Sequence, residues 1–116
     1  MSLLALALVA VVALLHLWFL VLEMVLWTRP LGLKTFRNTP AHAQATRVLA
    51  ANQGLYNGFL AAGLLYAAAI GARPFMVFFL GCVLVAALYG AYSVSRRILL
   101  VQGVPALAAL VAVLLS

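Results

Sequence analysis

The feature that most constrains this chain is a series of four apolar runs, separated by short polar segments, within 116 residues. Hydrophobic residues make up 69% of the sequence and charged residues only 7%, whereas soluble domains carry about 25% charged residues. Such a chain cannot cover a surface that faces water, so lipid must be its main solvent. We therefore predict an all-α membrane protein, a bundle of four transmembrane helices that forms a single domain over residues 1–116.

The four helices are expected at about 2–28, 40–70, 75–95 and 98–116, with a polar linker over about 29–39. Thr39 and Pro40 have the pattern of a helix cap and first turn. The first run lacks a basic n-region, so we expect it to be retained rather than cleaved. Two starts remain open for the fourth helix, because Pro105 allows either a kinked helix from Ile98 or a shorter helix from near Val104.

The basic residues predict how the chain is oriented in the membrane. Six of the seven Lys and Arg fall on one side of a four-span arrangement: Arg29, Lys34, Arg37, Arg47, Arg96 and Arg97. Because cytoplasmic loops collect positive charge, the linker should be cytoplasmic and both termini external, in a bacterial inner membrane. The net charge of +6 therefore indicates topology and contact with membrane lipids, and nucleic acid is not an expected partner. The same bias argues against an antiparallel dimer but leaves other homo-oligomers open.

Polar side chains from all four runs fall at one depth, roughly 8–10 Å inside the expected cytoplasmic boundary at 1.5 Å per residue. This layer contains Glu23, Asn52, Gln53, Tyr89 and Gln102. Glu23 is the only acid in the chain, and an ionisable group in hydrocarbon costs about 2.5–3.5 kcal/mol on insertion scales. We therefore expect Glu23 to face the interior of the bundle together with the other polar residues, around a cavity that opens to the cytoplasm.

Two groups of candidate site residues follow from this layer. Glu23 and His16 are the candidate acid–base or proton-coupling groups. The candidate ligand-binding residues are Trp27, Asn52, Gln53, Tyr56, Asn57, Tyr89, Ser93, Arg96 and Gln102. Alternatively, these side chains only hold helices together, a role worth about 0.6–2 kcal/mol for each. Gly54 and Gly58 predict close helix packing within the monomer. A single cysteine, Cys82, and no ligand cluster predict neither a metal nor a cofactor.

Three segments of the sequence carry a resemblance to a known family. They are LEMVLWTRP (22–30), ATRVLAANQGLYNGFLAAGL (45–64) and FFLGCVLVAALYGAYSVSRRILLVQGVPA (78–106). With these segments the chain closely resembles the bacterial domain-of-unknown-function family 1304, whose members are small integral membrane proteins. The resemblance implies a four-span membrane protein and implies no activity. Its motif residues include the whole polar layer and three further candidates: Glu23, Asn52, Gln53, Asn57, Tyr89, Ser93, Arg96 and Gln102.

Three functions remain open at this point. The first is binding or transport of a small amphipathic or apolar molecule through an intramembrane polar pocket, with Glu23 as a proton-linked determinant. The second is an intramembrane acid–base enzyme, such as an isomerase or hydratase acting on a lipid-like substrate, so whether the chain is an enzyme stays undecided. The third is a structural or accessory membrane subunit without a ligand.

Overall fold

The computed structural model describes residues 1–116 and contains helices but no strands. The elements are α1 (Leu3–Met24), α2 (Pro30–Phe36), α3 (Pro40–Ala45), α4 (Arg47–Ile70), α5 (Arg73–Ser93), a π-helical segment (Leu99–Gly103) and α6 (Val104–Leu114). The prediction of an all-α fold is confirmed.

Two of these helices, α1 and α5, are long and apolar enough to cross a membrane by length and composition. Helix α4 has a similar length, but Asn52, Gln53 and Asn57 lower its apolar character. The apolar helix Leu99–Leu114 is shorter, since 1.5 Å per residue gives it about 24 Å against a hydrocarbon core of about 30 Å. By length and composition, therefore, two helices are candidate membrane spans, whereas the sequence predicted four.

The predicted linker over 29–39 is partly helical, and the first helix ends earlier than the expected residue 28. Helix α1 ends at Met24, and α2 then begins at Pro30. Arg29 is extended, with φ −87° and ψ 162°, as expected for a residue that precedes proline, while Pro30 suits the first turn of a helix. Helix α2 stops at Arg37, whose φ of 56° is left-handed and whose N–H reaches carbonyls of the last turn.

The predicted helix over 40–70 is divided at Thr46. Thr39 caps α3 as the sequence indicates, because its hydroxyl oxygen accepts a hydrogen bond from the His42 N–H at 3.1 Å. Thr46 leaves helical geometry, with φ −106° and ψ 8°, and its hydroxyl donates to the His42 carbonyl at 2.8 Å. Such back-bonding by threonine bends helices, which explains why α3 and α4 are separate elements.

The helical path of the fourth run begins before Pro105, at Leu99, although its α-helical part begins at Val104. The π-helical segment Leu99–Gly103 leads directly into α6. A proline clashes with the carbonyl four residues earlier, here that of Val101, and a π-turn is a common way to absorb such a disturbance. Gly103 also permits close packing, because a Cβ there would lie 3.3 Å from the Ala87 Cβ of α5.

The chain divides into two compact units, one of residues 1–15 with 61–116 and the other of residues 16–60. In the first unit, the largest buried side chains are Val9, Val12, Leu64, Met76, Leu80, Val83 and Val113. The Ser2 N–H donates to the Ser116 hydroxyl at 2.8 Å. The Arg73 guanidinium donates to the Ser116 carbonyl at 2.9 Å and to the Leu114 carbonyl at 2.5 Å. Both termini and the start of α5 therefore lie at one end of this unit.

The second unit, residues 16–60, contains the end of α1, both short helices and the first half of α4. The Trp27 indole N–H donates to the Thr46 hydroxyl oxygen at 3.2 Å. The Trp27 and Phe36 rings lie 4.9 Å apart. Gly32 packs closely on the backbone of Leu26 and Trp27, which follow α1 and are called here the exit of α1. A Cβ on Gly32 would overlap the Leu26 carbonyl oxygen. These contacts fix the linker as a folded element.

Candidate functional site

The only acid of the chain meets an amide from another helix. The Asn57 side-chain N–H of α4 donates to the Glu23 carboxyl oxygen of α1 at 2.5 Å. Both side chains are half-buried, so part of the carboxyl remains reachable from outside the unit. This carboxyl–amide pair is the centre of the candidate site.

The pair forms because α4 presents glycines to α1. A Cβ on Gly54 would lie 2.6 Å from the Met24 Cγ and 3.1 Å from the Glu23 Cβ. A Cβ on Gly58 would lie 2.6 Å from the Leu20 Cδ1. Small residues let helix backbones approach closely, and this approach brings the Asn57 amide within reach of Glu23. The prediction that Gly54 and Gly58 pack within the monomer is confirmed.

The other amides of α4 point outward, contrary to their predicted orientation toward a shared interior. Asn52, Gln53 and Tyr56 are exposed, Tyr56 by 67% of its surface. At 100° per residue, Asn52 and Tyr56 lie about 160° around the helix from Gly54. Since the glycine face is the one that packs on α1, the arc of Asn52 and Tyr56 is turned away from α1.

His16 is fully buried in α1. Its ring packs edge to face on the Phe19 ring, with centroids 5.1 Å apart. Full burial together with this ring contact favours a structural role for the histidine. Of the two predicted acid–base groups, only Glu23 is partly accessible.

The predicted site residues of the other unit do not form a polar pocket. Tyr89, Ser93 and Arg96 are exposed, and the Ser93 hydroxyl donates to the Tyr89 carbonyl of its own helix at 2.7 Å. Gln102 is half-buried in the π-helical segment and has a partner.

A depression of about 610 Å³ runs along α5 and is lined by Val77, Phe78, Gly81, Cys82, Val85, Ala86 and Tyr89. The lining of this depression is mainly apolar.

Two residues that support the site were not singled out from the sequence. Thr46 holds the Trp27 indole, so Trp27 is anchored to the start of α4 rather than lining a cavity wall. Gly32 allows α2 to lie against the exit of α1. The only sequence signal for either is local: Gly32 follows Pro30 in a short helix, and Thr46 immediately precedes the basic start of α4.

The chemistry available at the pair is that of one carboxyl and one amide. Glu23 can accept hydrogen bonds or exchange a proton, and Asn57 can donate and accept. Gln53 is on the same side of α4 as Asn57, about 40° away at 100° per residue. The chain contains no group of three His, Cys, Asp or Glu side chains that could hold a metal ion.

The fold and the pair define an all-α protein with two helices apolar enough to span a membrane and a carboxyl–amide contact between α1 and α4. A family model described as Protein of unknown function (DUF1304) matches residues 10–114. The chain belongs to this family, as the sequence resemblance implies. No curated protein and no solved structure matches the sequence.

Proposed function

We propose that this chain is a four-span protein of the bacterial inner membrane that binds or transports a small amphipathic or apolar molecule. The observation that carries the proposal is the half-buried Glu23 carboxyl, which accepts a hydrogen bond from the Asn57 amide. An acidic side chain within a membrane helix is costly and usually marks a substrate, ion or proton pathway. Asn57 supplies a donor that tolerates both the protonated and the ionised carboxyl, which is the property a proton-linked site needs.

Four spans follow if α4 and the helix Leu99–Leu114 cross the membrane together with α1 and α5. The hydrogen bonds among Ser2, Arg73 and Ser116 support an even number of crossings, because they hold both termini and the start of α5 at one end of their unit. The basic residues Arg29, Lys34, Arg37 and Arg47 are all exposed. Their charge favours the cytoplasmic side for the α1–α4 linker.

This topology predicts that a C-terminal alkaline phosphatase fusion is active in cells, and that a C-terminal fusion of a cytoplasmic fluorescent protein is dark. The physical reason is that six of the seven basic residues flank segments on the other side. Fusions placed after Phe36 serve as the matched control and should give the reverse pattern. An inactive phosphatase together with a fluorescent fusion at Ser116 would place the termini in the cytoplasm and contradict the proposed orientation.

The ligand is expected to be amphipathic because the site joins a carboxyl–amide pair to lipid-facing surface. Gln53 and Asn57 occupy one flank of α4, while Leu20 and Met24 of α1 provide apolar contacts beside Glu23. A molecule with a polar group and an apolar body can reach Glu23 from the membrane without crossing water. Lateral entry of this kind also agrees with the half-buried, rather than enclosed, position of the pair.

The test is mass spectrometry of small molecules that co-purify with the protein extracted in mild detergent. Wild type should retain an amphipathic molecule that is depleted at least tenfold in Asn57→Leu, because the variant removes the donor that orients the Glu23 carboxyl. Gln44→Leu removes an exposed amide of α3, away from the pair, and serves as the matched control. Equal recovery from all three proteins, or no bound molecule in any of them, would overturn the proposal.

A structural or accessory role is the second candidate, and the same contact favours it. The Glu23–Asn57 bond and the glycine face of α4 also join α1 firmly to α4. In that case the bond contributes to stability and no ligand is needed. An acid–base enzyme ranks below both candidates, because the side chain that Glu23 contacts is the Asn57 amide, which does not exchange a proton.

A further inference from the structure

The Glu23 carboxyl has two oxygen atoms, and the protein supplies a hydrogen bond to one of them. The Asn57 amide donates to Oε1, and no other group of the chain donates to the carboxyl. Only one buried side-chain nitrogen or oxygen in the chain lacks a hydrogen bond, the Asn38 Nδ2. Because Oε2 has no partner and Glu23 is half-buried, Oε2 lies at an accessible surface. It is therefore open to a donor from outside the protein.

The chain places no positive charge beside this carboxyl. All seven Lys and Arg are exposed, and none of them forms an ion pair with Glu23, whose polar contact is the neutral Asn57 amide. With α1 crossing the membrane as proposed above, an acidic side chain within it is costly and normally has a charged or polar partner. Opposite charges attract most strongly where water is scarce. A bound molecule can supply the positive charge that the chain does not.

We infer that the polar group of the ligand is a protonated amine. The inference rests on the proposed function and names the chemical class of the molecule that this site takes. An ammonium group brings both a positive charge and N–H donors for Oε2, and the Asn57 carbonyl oxygen is a further acceptor beside it. A hydrogen bond between charged groups is about twice as strong as one between neutral groups. An anionic group would be repelled by the carboxylate, and a neutral hydroxyl would leave its charge unpaired.

Apolar side chains flank the carboxyl and indicate the rest of the ligand. Leu20 and Met24 lie on either side of Glu23 along α1, and both reach the glycine face of α4. Met24 is 43% exposed, so an apolar body can pack on it while the nitrogen reaches Oε2. A primary or secondary amine keeps an N–H for this oxygen. The methyl groups of a quaternary ammonium would instead separate the nitrogen from the carboxyl, so such a cation should bind less tightly.

The experiment is equilibrium dialysis of the full chain in a non-ionic detergent at neutral pH, where amines of this kind are protonated. It compares four probes that share a phenyl-alkyl body: phenylbutylamine, its trimethylammonium form, phenylbutanol and phenylbutyrate. Phenylbutylamine should bind at least tenfold more tightly than each of the others, given the usual strength of hydrogen bonds between charged groups. Glu23→Gln should reduce its affinity to that of phenylbutanol. Gln44→Leu, the control away from the pair, should bind phenylbutylamine as wild type does.

Three results would overturn the inference: equal binding of phenylbutanol or of the trimethylammonium form, phenylbutylamine binding that survives Glu23→Gln, and no binding of any probe. The proposed function is judged separately, by recovery of a co-purified molecule that depends on Asn57. A recovered molecule without an amine nitrogen would overturn the inference and leave the proposed function standing. A protein that retains no molecule but binds phenylbutylamine through Glu23 would support the inference although the recovery test had failed.

Discussion

Gly32→Ala is expected to destabilise the folded linker by about 3 kcal/mol, the upper part of the usual range for overpacking. An added Cβ would overlap the Leu26 carbonyl oxygen and lie 2.6 Å from its carbonyl carbon and 3.1 Å from the Trp27 Cα. All three atoms belong to backbone, so no side-chain rotation can relieve the contact. Helix α2 would have to move away from the exit of α1, which would also disturb the Trp27–Thr46 hydrogen bond.

The measurement is the thermal stability of the purified protein in one detergent, followed by the intrinsic fluorescence of its two tryptophans. Gly81→Ala is the matched control, because no atom lies within 4 Å of the Cβ it would add. Alanine also favours helix over glycine by about 1 kcal/mol, so this control should be neutral or slightly stabilised. Equal stability of the two variants would show that α2 does not pack on the exit of α1.

The sequence predicted the helical class and several local signals, because these depend on neighbouring residues. Long apolar runs and few charges are sufficient for an all-α fold, and Thr39 caps α3 as its position before Pro40 indicates. The small residues Gly54 and Gly58 likewise indicated which side of α4 packs within the monomer. Each of these features depends on the type of residue at one position or in one short segment, so it can be predicted without knowing the tertiary structure.

The orientation of the polar layer could not be obtained in the same way. Distance along the chain from a basic residue estimates the depth of a side chain but does not give the rotation of its helix about its own axis. Asn52 and Tyr56 were expected to face an interior, yet the glycine flank of α4 is the side that packs on α1. In a membrane, close packing of small residues competes with burial of polar ones. In this structure the glycine flank is the side that packs on α1, and Asn57, at the edge of the polar arc, is the amide that contacts Glu23.

The expected result for Glu23→Gln is a protein of nearly unchanged stability that has lost its ligand. The glutamine has the same shape, and its carbonyl oxygen can still accept the hydrogen bond from the Asn57 amide. Exchange of a charged acceptor for a neutral one weakens that bond by about 1 kcal/mol. The substitution also removes an ionisable group from hydrocarbon. The free-energy cost of placing such a group there is as large as the loss in hydrogen bonding, or larger. The two effects oppose each other, so the melting temperature in detergent should stay close to that of wild type.

Ligand binding should respond quite differently, because an amide can neither carry charge nor exchange a proton. We expect recovery of the co-purified molecule to fall at least tenfold in Glu23→Gln, and its dependence on pH to disappear. Asn57→Leu completes the comparison, since it leaves the carboxyl without its donor and should cost about 1–3 kcal/mol of stability. A stable Glu23→Gln protein with wild-type recovery and pH dependence would exclude proton-linked binding and acid–base catalysis together. The Glu23–Asn57 bond would then serve only to join α1 to α4, as the accessory-subunit hypothesis requires.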